Sequence, residues 1–133
     1  MSSILLDTHV WVWSLMADPR LSAHAVDAIR RAESVFVSPI TFFEIGQKVR
    51  MGKWPEMEPF LDQLAGLPDE QGGRIAVLDP QVCLLAATMA WDHRDPFDRM
   101  LAASAIHHGL ILISADTAFD SLVEQAGWTG RHW

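Results

Sequence analysis

The chain has 133 residues, with 10 Lys+Arg against 17 Asp+Glu, a formal net charge of -7, 50% hydrophobic residues and 20% charged ones. Such a length fits one domain built on a single core, and so apolar a chain is not intrinsically disordered. Its one cysteine, Cys83, cannot close an internal disulfide, no apolar run approaches the roughly 20 residues of a membrane span, and the net acidity weighs against non-specific nucleic-acid binding.

In chain order, Ile4-Leu5-Leu6 reads as a short buried strand ending at Asp7. An apolar helical stretch follows from His9 to Ala17, and a second helix, capped by Ser22, runs from Ala23 to about Ala32. The second strand, Ser34 to Ser38, leads into a helix that starts at Pro39, where a first helical position tolerates proline, and stops at Gly52. A shorter helix is expected over 58–65, a weaker strand over 74–78, and a helix over 80–91. The clearest helix runs from Pro96 to His108, with Asp95 as its cap and Gly109 as its stop. The last strand, Leu110 to Ile113, ends at Ser114-Ala115-Asp116, and the stretch 121–127 again looks helical. Near-continuous apolar strands alternating with helices predict an α/β domain over 1–133 with a mainly parallel sheet covered on both faces. The N-terminus lacks a basic leader pattern, so a cytoplasmic protein without a membrane segment is expected.

In such sheets ligands bind beyond the carboxyl ends of the strands. Asp7 and Asp116 stand there, Asp98 opens the helix feeding the last strand, and Glu44 lies in the helix after the second. Four carboxylates in one pocket would repel one another, and a divalent cation is the usual remedy. Hard oxygen donors select Mg²⁺, with Mn²⁺ next, and no Cys/His spacing supports zinc. Each acid also has a plain structural use. Asp7, Asp95 and Asp116 suit helix caps, Asp98 suits the dipole of a first helical turn, and Glu44 can pair with Lys48. Asp95 is a secondary candidate for that reason. Cys83 reads as an inert core thiol, and Trp11, Trp13, Phe42 and Phe43 read more readily as core or dimer surface than as base-stacking groups. No phosphate-binding glycine loop and no nucleophile elbow is present.

Four segments in this order resemble the PIN-domain ribonucleases, and among them the VapC-type toxins of bacterial toxin–antitoxin operons. They are Leu5-Leu6-Asp7-Thr8-His9-Val10-Trp11, Val37-Ser38-Pro39-Ile40-Thr41-Phe42-Phe43-Glu44-Ile45, His93-Arg94-Asp95-Pro96-Phe97-Asp98-Arg99-Met100-Leu101-Ala102-Ala103 and Leu112-Ile113-Ser114-Ala115-Asp116-Thr117-Ala118-Phe119. The resemblance implies a three-layer PIN-like fold and Asp7, Glu44, Asp98 and Asp116 as metal-binding and catalytic acids. Thr8, Ser38 and Ser114 are expected to supply pocket hydroxyls. It also implies metal-dependent hydrolysis of single-stranded or structured RNA such as a tRNA loop, a homodimer, and a cognate VapB-type antitoxin. Lys48, Arg50, Arg94 and Arg99 are the expected RNA contacts, while Lys53 reads as a solvated charge. A Mg²⁺-binding receiver domain is the main alternative. It would want paired acids after the first strand, where Thr8 and His9 stand instead. A non-catalytic PIN-like interaction module is the other.

Overall fold

Why the three apolar runs become strands is visible in which way their side chains point. In the computed structural model, which describes residues 2–133 and so leaves Met1 of the expected 1–133 span outside the described residues, β1 (Ile4–Leu6) sends Ile4 and Leu6 into one core and Leu5 into the other. Strand β4 (Ile111–Ile113) divides the same way, with Ile113 on the first side and Leu112 on the second. A strand buried on both faces needs apolar residues at every position, not at alternate ones. Leu5, Leu112 and Ile113 are 0% exposed and Leu6 2%, and burial that complete stabilises by about 1.5–3 kcal/mol per side chain.

With β2 (Val35–Val37), β3 (Arg74–Ile75) and β5 (Arg131–His132), these strands form one five-stranded sheet in the order β3-β2-β1-β4-β5. Every neighbouring pair is parallel. The core on one face is filled from α1 (Thr8–Leu15), α2 (Ala23–Arg31) and α3 (Pro39–Arg50), which contribute Val10, Trp11, Ala25 and Ile45. On the other face α7 (Pro96–His108) contributes Leu101, Ala102 and Ala105, and α6 (Pro80–Thr88) packs behind it through Val82 and Ala86 against Ala103. Helix–sheet–helix is the expected three-layer α/β arrangement. The short α4 (Leu61–Leu64) and α5 (Leu67–Glu70) lie between α3 and β3.

The helix boundaries follow local chemistry. Ser38 caps α3 by accepting from the Ile40 amide, with Pro39 at the first helical position. Asp95 caps α7 by accepting from the Phe97 amide, and Gly109, at φ 67°, ends it in the left-handed conformation that glycine adopts without penalty.

Three expectations are corrected. The helix over 58–65 is a 3₁₀ segment, Pro55–Phe60, followed by α4; Pro59 has no amide hydrogen and its ring clashes with a preceding α-turn. The stretch 121–127 forms no α-helix: a 3₁₀ segment ends at Leu122 and turns follow. The chain then returns as β5, which sequence reading did not identify. The weak strand at 74–78 shortens to Arg74–Ile75 because it lies at the sheet edge, where Val77 is 58% exposed.

Candidate active site

Parallel pairing fixes which residues meet at the rim of the sheet. Leu6 is in register with Val37 on one side and Ile113 on the other. The next residues, Asp7, Ser38 and Ser114, therefore form one row. The chain progresses from β1 outward to β2 and then reverses to β4, so this row lies where an open parallel sheet leaves a crevice.

Asp7 is fixed there by two bonds: its amide donates to the Ile113 carbonyl (3.1 Å), and its Oδ1 accepts from the Val10 amide (2.9 Å), capping α1. Burial pushes its carboxyl from 3.8 up to about 6, and the negative charges of Asp98 and Glu44 push the same way. Hydrogen bonding to Ser114 and Val10 opposes them. Glu44, only 9% exposed, accepts from the Thr8 hydroxyl (2.7 Å) and pairs through Oε2 with Lys48 (2.9 Å). Thr8 lies 3.0 Å from the Thr41 hydroxyl. Asp98 sits in the first turn of α7, its Oδ2 2.7 Å from His93 Nε2. Burial raises Asp98 above the ordinary carboxylate range, and Asp95 and Asp116 add to the rise. Asp116 accepts from the Ala118 amide (2.9 Å), and its own amide donates to Ser114 Oγ (3.0 Å).

Each plain structural use is thus realised, and the four acids still share one electrostatic neighbourhood. Asp7 feels Asp98 and Glu44, and Asp98 feels Asp116. Among the described residues, however, the set with donor atoms all within 4.8 Å of one another is His93, Asp95 and Asp98. Carboxylates without a counter-charge hold one another apart. His93 was not singled out from the sequence. Its signal is the five-residue step to Asp98, across a loop that a proline-started helix terminates. The donors are oxygens with a single imidazole, and burial disfavours their unneutralised negative charge. That chemistry fits a hard divalent ion such as Mg²⁺ or Mn²⁺.

Two expected roles are corrected. Arg99 does not face a substrate. Its Nε donates to the Ala86 carbonyl (2.7 Å), Nη2 to Met89 (2.7 Å), and Nη1 to Trp91 and to His93 (2.9 Å). A planar fork of donors suits such a cluster of carbonyls, and the clamp shapes the loop that carries His93. Ser38 Oγ serves the Ile40 amide as the cap of α3 and, among the described residues, bonds no acid, so it is not a pocket hydroxyl. Thr8 and Ser114 do place hydroxyls against acids. Lys48 is held by Glu44, while Arg50 and Arg94 are exposed.

The family model of the PIN domain matches residues 4–124, a span that includes all four acids. The chain belongs to the PIN domain family. It is similar to ribonuclease VapC22 of Mycobacterium tuberculosis, with 32% identity over 117 residues, 87% of this chain and 88% of that one. This makes it a VapC-type PIN domain and sets aside the receiver alternative. The fold is shared with VapBC-5 of M. tuberculosis, a toxin–antitoxin family member, at TM-score 0.65 and 18% identity over all of both chains. VapBC2 of Rickettsia felis, solved on a promoter DNA fragment, matches at TM-score 0.64 and 12% identity over 98% of each chain. No helix among the described residues of this PIN domain is long and apolar enough to cross a membrane.

Proposed function

We propose that residues 1–133 act as a single metal-dependent endoribonuclease domain. It would be the toxin of a type II toxin–antitoxin pair, working in the cytoplasm as a homodimer and held inactive by a VapB-type antitoxin. The observation that supports this reading is electrostatic: Asp7, beyond the carboxyl end of β1, is pushed upward by burial and by the charges of Asp98 and Glu44, and Asp98 by burial and by Asp116. The relationship to ribonuclease VapC22 supports the RNA substrate.

Asp7 and Asp98 would hold Mg²⁺, with Asp116 and Glu44 beside them and Mn²⁺ as the substitute. The chemistry such an ion would supply there is activation of a water for attack and neutralisation of charge on the scissile phosphate. The protein's own groups set the rest. Thr8 and Lys48 hold the two oxygens of Glu44, fixing that side chain at the pocket wall. His93 holds Oδ2 of Asp98 and so orients it. Asp116 uses Oδ1 as a cap, and its Oδ2 is assigned to take the proton from the attacking water. Attack forms the new P–O bond, one ribose ester bond breaks, and its oxygen leaves with a proton from solvent. Arg50 and Arg94 lie free to approach the phosphates, and tRNA loops are the substrate class the family suggests.

The test is to sequence the ends of total RNA after expression of wild type and of Asp98→Asn. Wild type should generate discrete new ends, and a folded Asp98→Asn variant should give none. New ends that persist unchanged in Asp98→Asn would refute the assignment.

A further inference from the structure

Beside the acids lies a run of rings that the chemistry above does not use. His9, in the first turn of α1, is stacked on Trp54 with ring centroids 4.9 Å apart and planes 23° apart. It also meets Trp13 at 5.7 Å. Arg20 covers Trp13 at 5.1 Å and Lys48 approaches Trp54 at 5.6 Å. His9 is exposed and both tryptophans are half-buried, so the rings form a surface and not a core. Two clefts meet on them. One, of about 370 Å³, is lined by Asp7, His9, Trp13, Arg20, Ala115 and Asp116. The other, of about 390 Å³, shares His9, Trp13 and Arg20 and extends to Trp54 and Met57. Both are large enough for a small organic group.

We propose that His9, Trp13 and Trp54 form a stacking platform for an unpaired nucleobase of the RNA strand, one that flanks the scissile phosphate where it would meet the ion at Asp7 and Asp98. The proposal rests on the ribonuclease reading and adds the residues that would grip one unstacked base beside the cut. Continuity argues for this occupant, because a strand with its phosphate at the acids must continue along the shared wall of the two clefts. Ring chemistry argues for it too, since aromatic faces bind any base by stacking, and cations laid over them are common partners of single strands. Both cations are already matched. Arg20 forks onto Asp18 (2.8 Å through Nη2) and Lys48 onto Glu44 (2.9 Å). The platform is therefore close to neutral, and its grip comes from stacking and not from charge.

The experiment uses the full chain and single-stranded RNA oligonucleotides that each carry an abasic nucleotide at one position around the cut. One position should stand out, with KM raised about tenfold, the scale of one lost base–aromatic stack. That penalty should persist from about 50 to about 200 mM salt, where phosphate contacts weaken steeply. His9→Ala and Trp13→Leu should raise KM on intact RNA and abolish the abasic penalty, while His9→Phe, which keeps a ring, should restore it. A flat abasic scan with cleavage intact overturns the platform and leaves the ribonuclease reading standing. Failure to cut any RNA with Mg²⁺ or Mn²⁺ overturns that reading and the platform with it. If folded His9→Ala and Trp13→Leu keep the wild-type KM and change only inhibition by an antitoxin, the surface belongs to a protein partner and the RNA assignment is overturned.

Discussion

Replacing Asp7 by Asn should stabilise the metal-free protein at neutral pH while removing its metal-dependent activity. Burial lifts the Asp7 carboxyl from 3.8 to about 6. At 1.36 kcal/mol for each factor of ten, holding it ionised in the folded state costs up to about 3 kcal/mol. Because the folded value is the higher one, the protonated form stabilises the fold. That contribution is complete below pH 3.8 and is lost as pH rises through about 6. Asn carries no charge and is as good a helix cap as Asp, so its Oδ1 can keep the bond from the Val10 amide. The expected gain is about 1–3 kcal/mol at pH 7.5 in a chelator, falling toward zero by about pH 4. Urea unfolding of both proteins across this range reads it, since comparison of the pair cancels the titration of the acids that Asp7 does not feel. Added Mg²⁺ should then stabilise wild type and not Asp7→Asn. An Asn variant no more stable than wild type at pH 7.5, or a gain that does not shrink on acidification, would refute the account of Asp7.

Other changes separate structural from functional roles. Arg99→Met strands four backbone carbonyls and should lower unfolding free energy by at least about 2 kcal/mol, whereas exposed Arg94→Ala should change it by less than about 0.5 kcal/mol; equal effects in chemical denaturation would contradict the clamp. Asp95→Ala should cost about 0.5–2 kcal/mol through the lost cap of α7, with Asp95→Asn near wild type; an Ala variant of undiminished stability would remove that cap. Ala17 sits at φ 49° in the turn after α1, a conformation that disfavours a Cβ. Ala17→Gly should therefore raise stability by under about 1 kcal/mol, and a lowered melting temperature would argue against it.

What the sequence disclosed depended on how local the cause was. Strands β1 and β4 were legible because burial on both faces forces an unbroken apolar run. Helices α3 and α7 were legible because Ser38-Pro39 and Asp95-Pro96 are capping chemistry written in adjacent residues. Strand β5 was not, since Arg131 and His132 have no strand-like character of their own. Their place is set by pairing with β4 and by Arg131, which binds the Ser114 carbonyl and Asp120. The role of Arg99 was hidden for a similar reason: a guanidinium reads as surface charge until the carbonyls it meets are known. Net charge was a blunt guide for the same reason: it does not show that Asp7 and Asp116 line one cleft while Arg99 is spent inside the fold.

The parallel order of the strands has a consequence for how the protein is made. Asp7 emerges from the ribosome before Asp116, which follows 109 positions later, on the far side of the switch from β2 back to β4. At about 5–20 residues per second, the nascent chain carries half a site for roughly 5–20 s. No fragment that stops short of β4 can bring the acids together. Chains that have not yet reached β4 therefore lack the strand that seats Ser114 and Asp116 beside Asp7, whatever else they have folded.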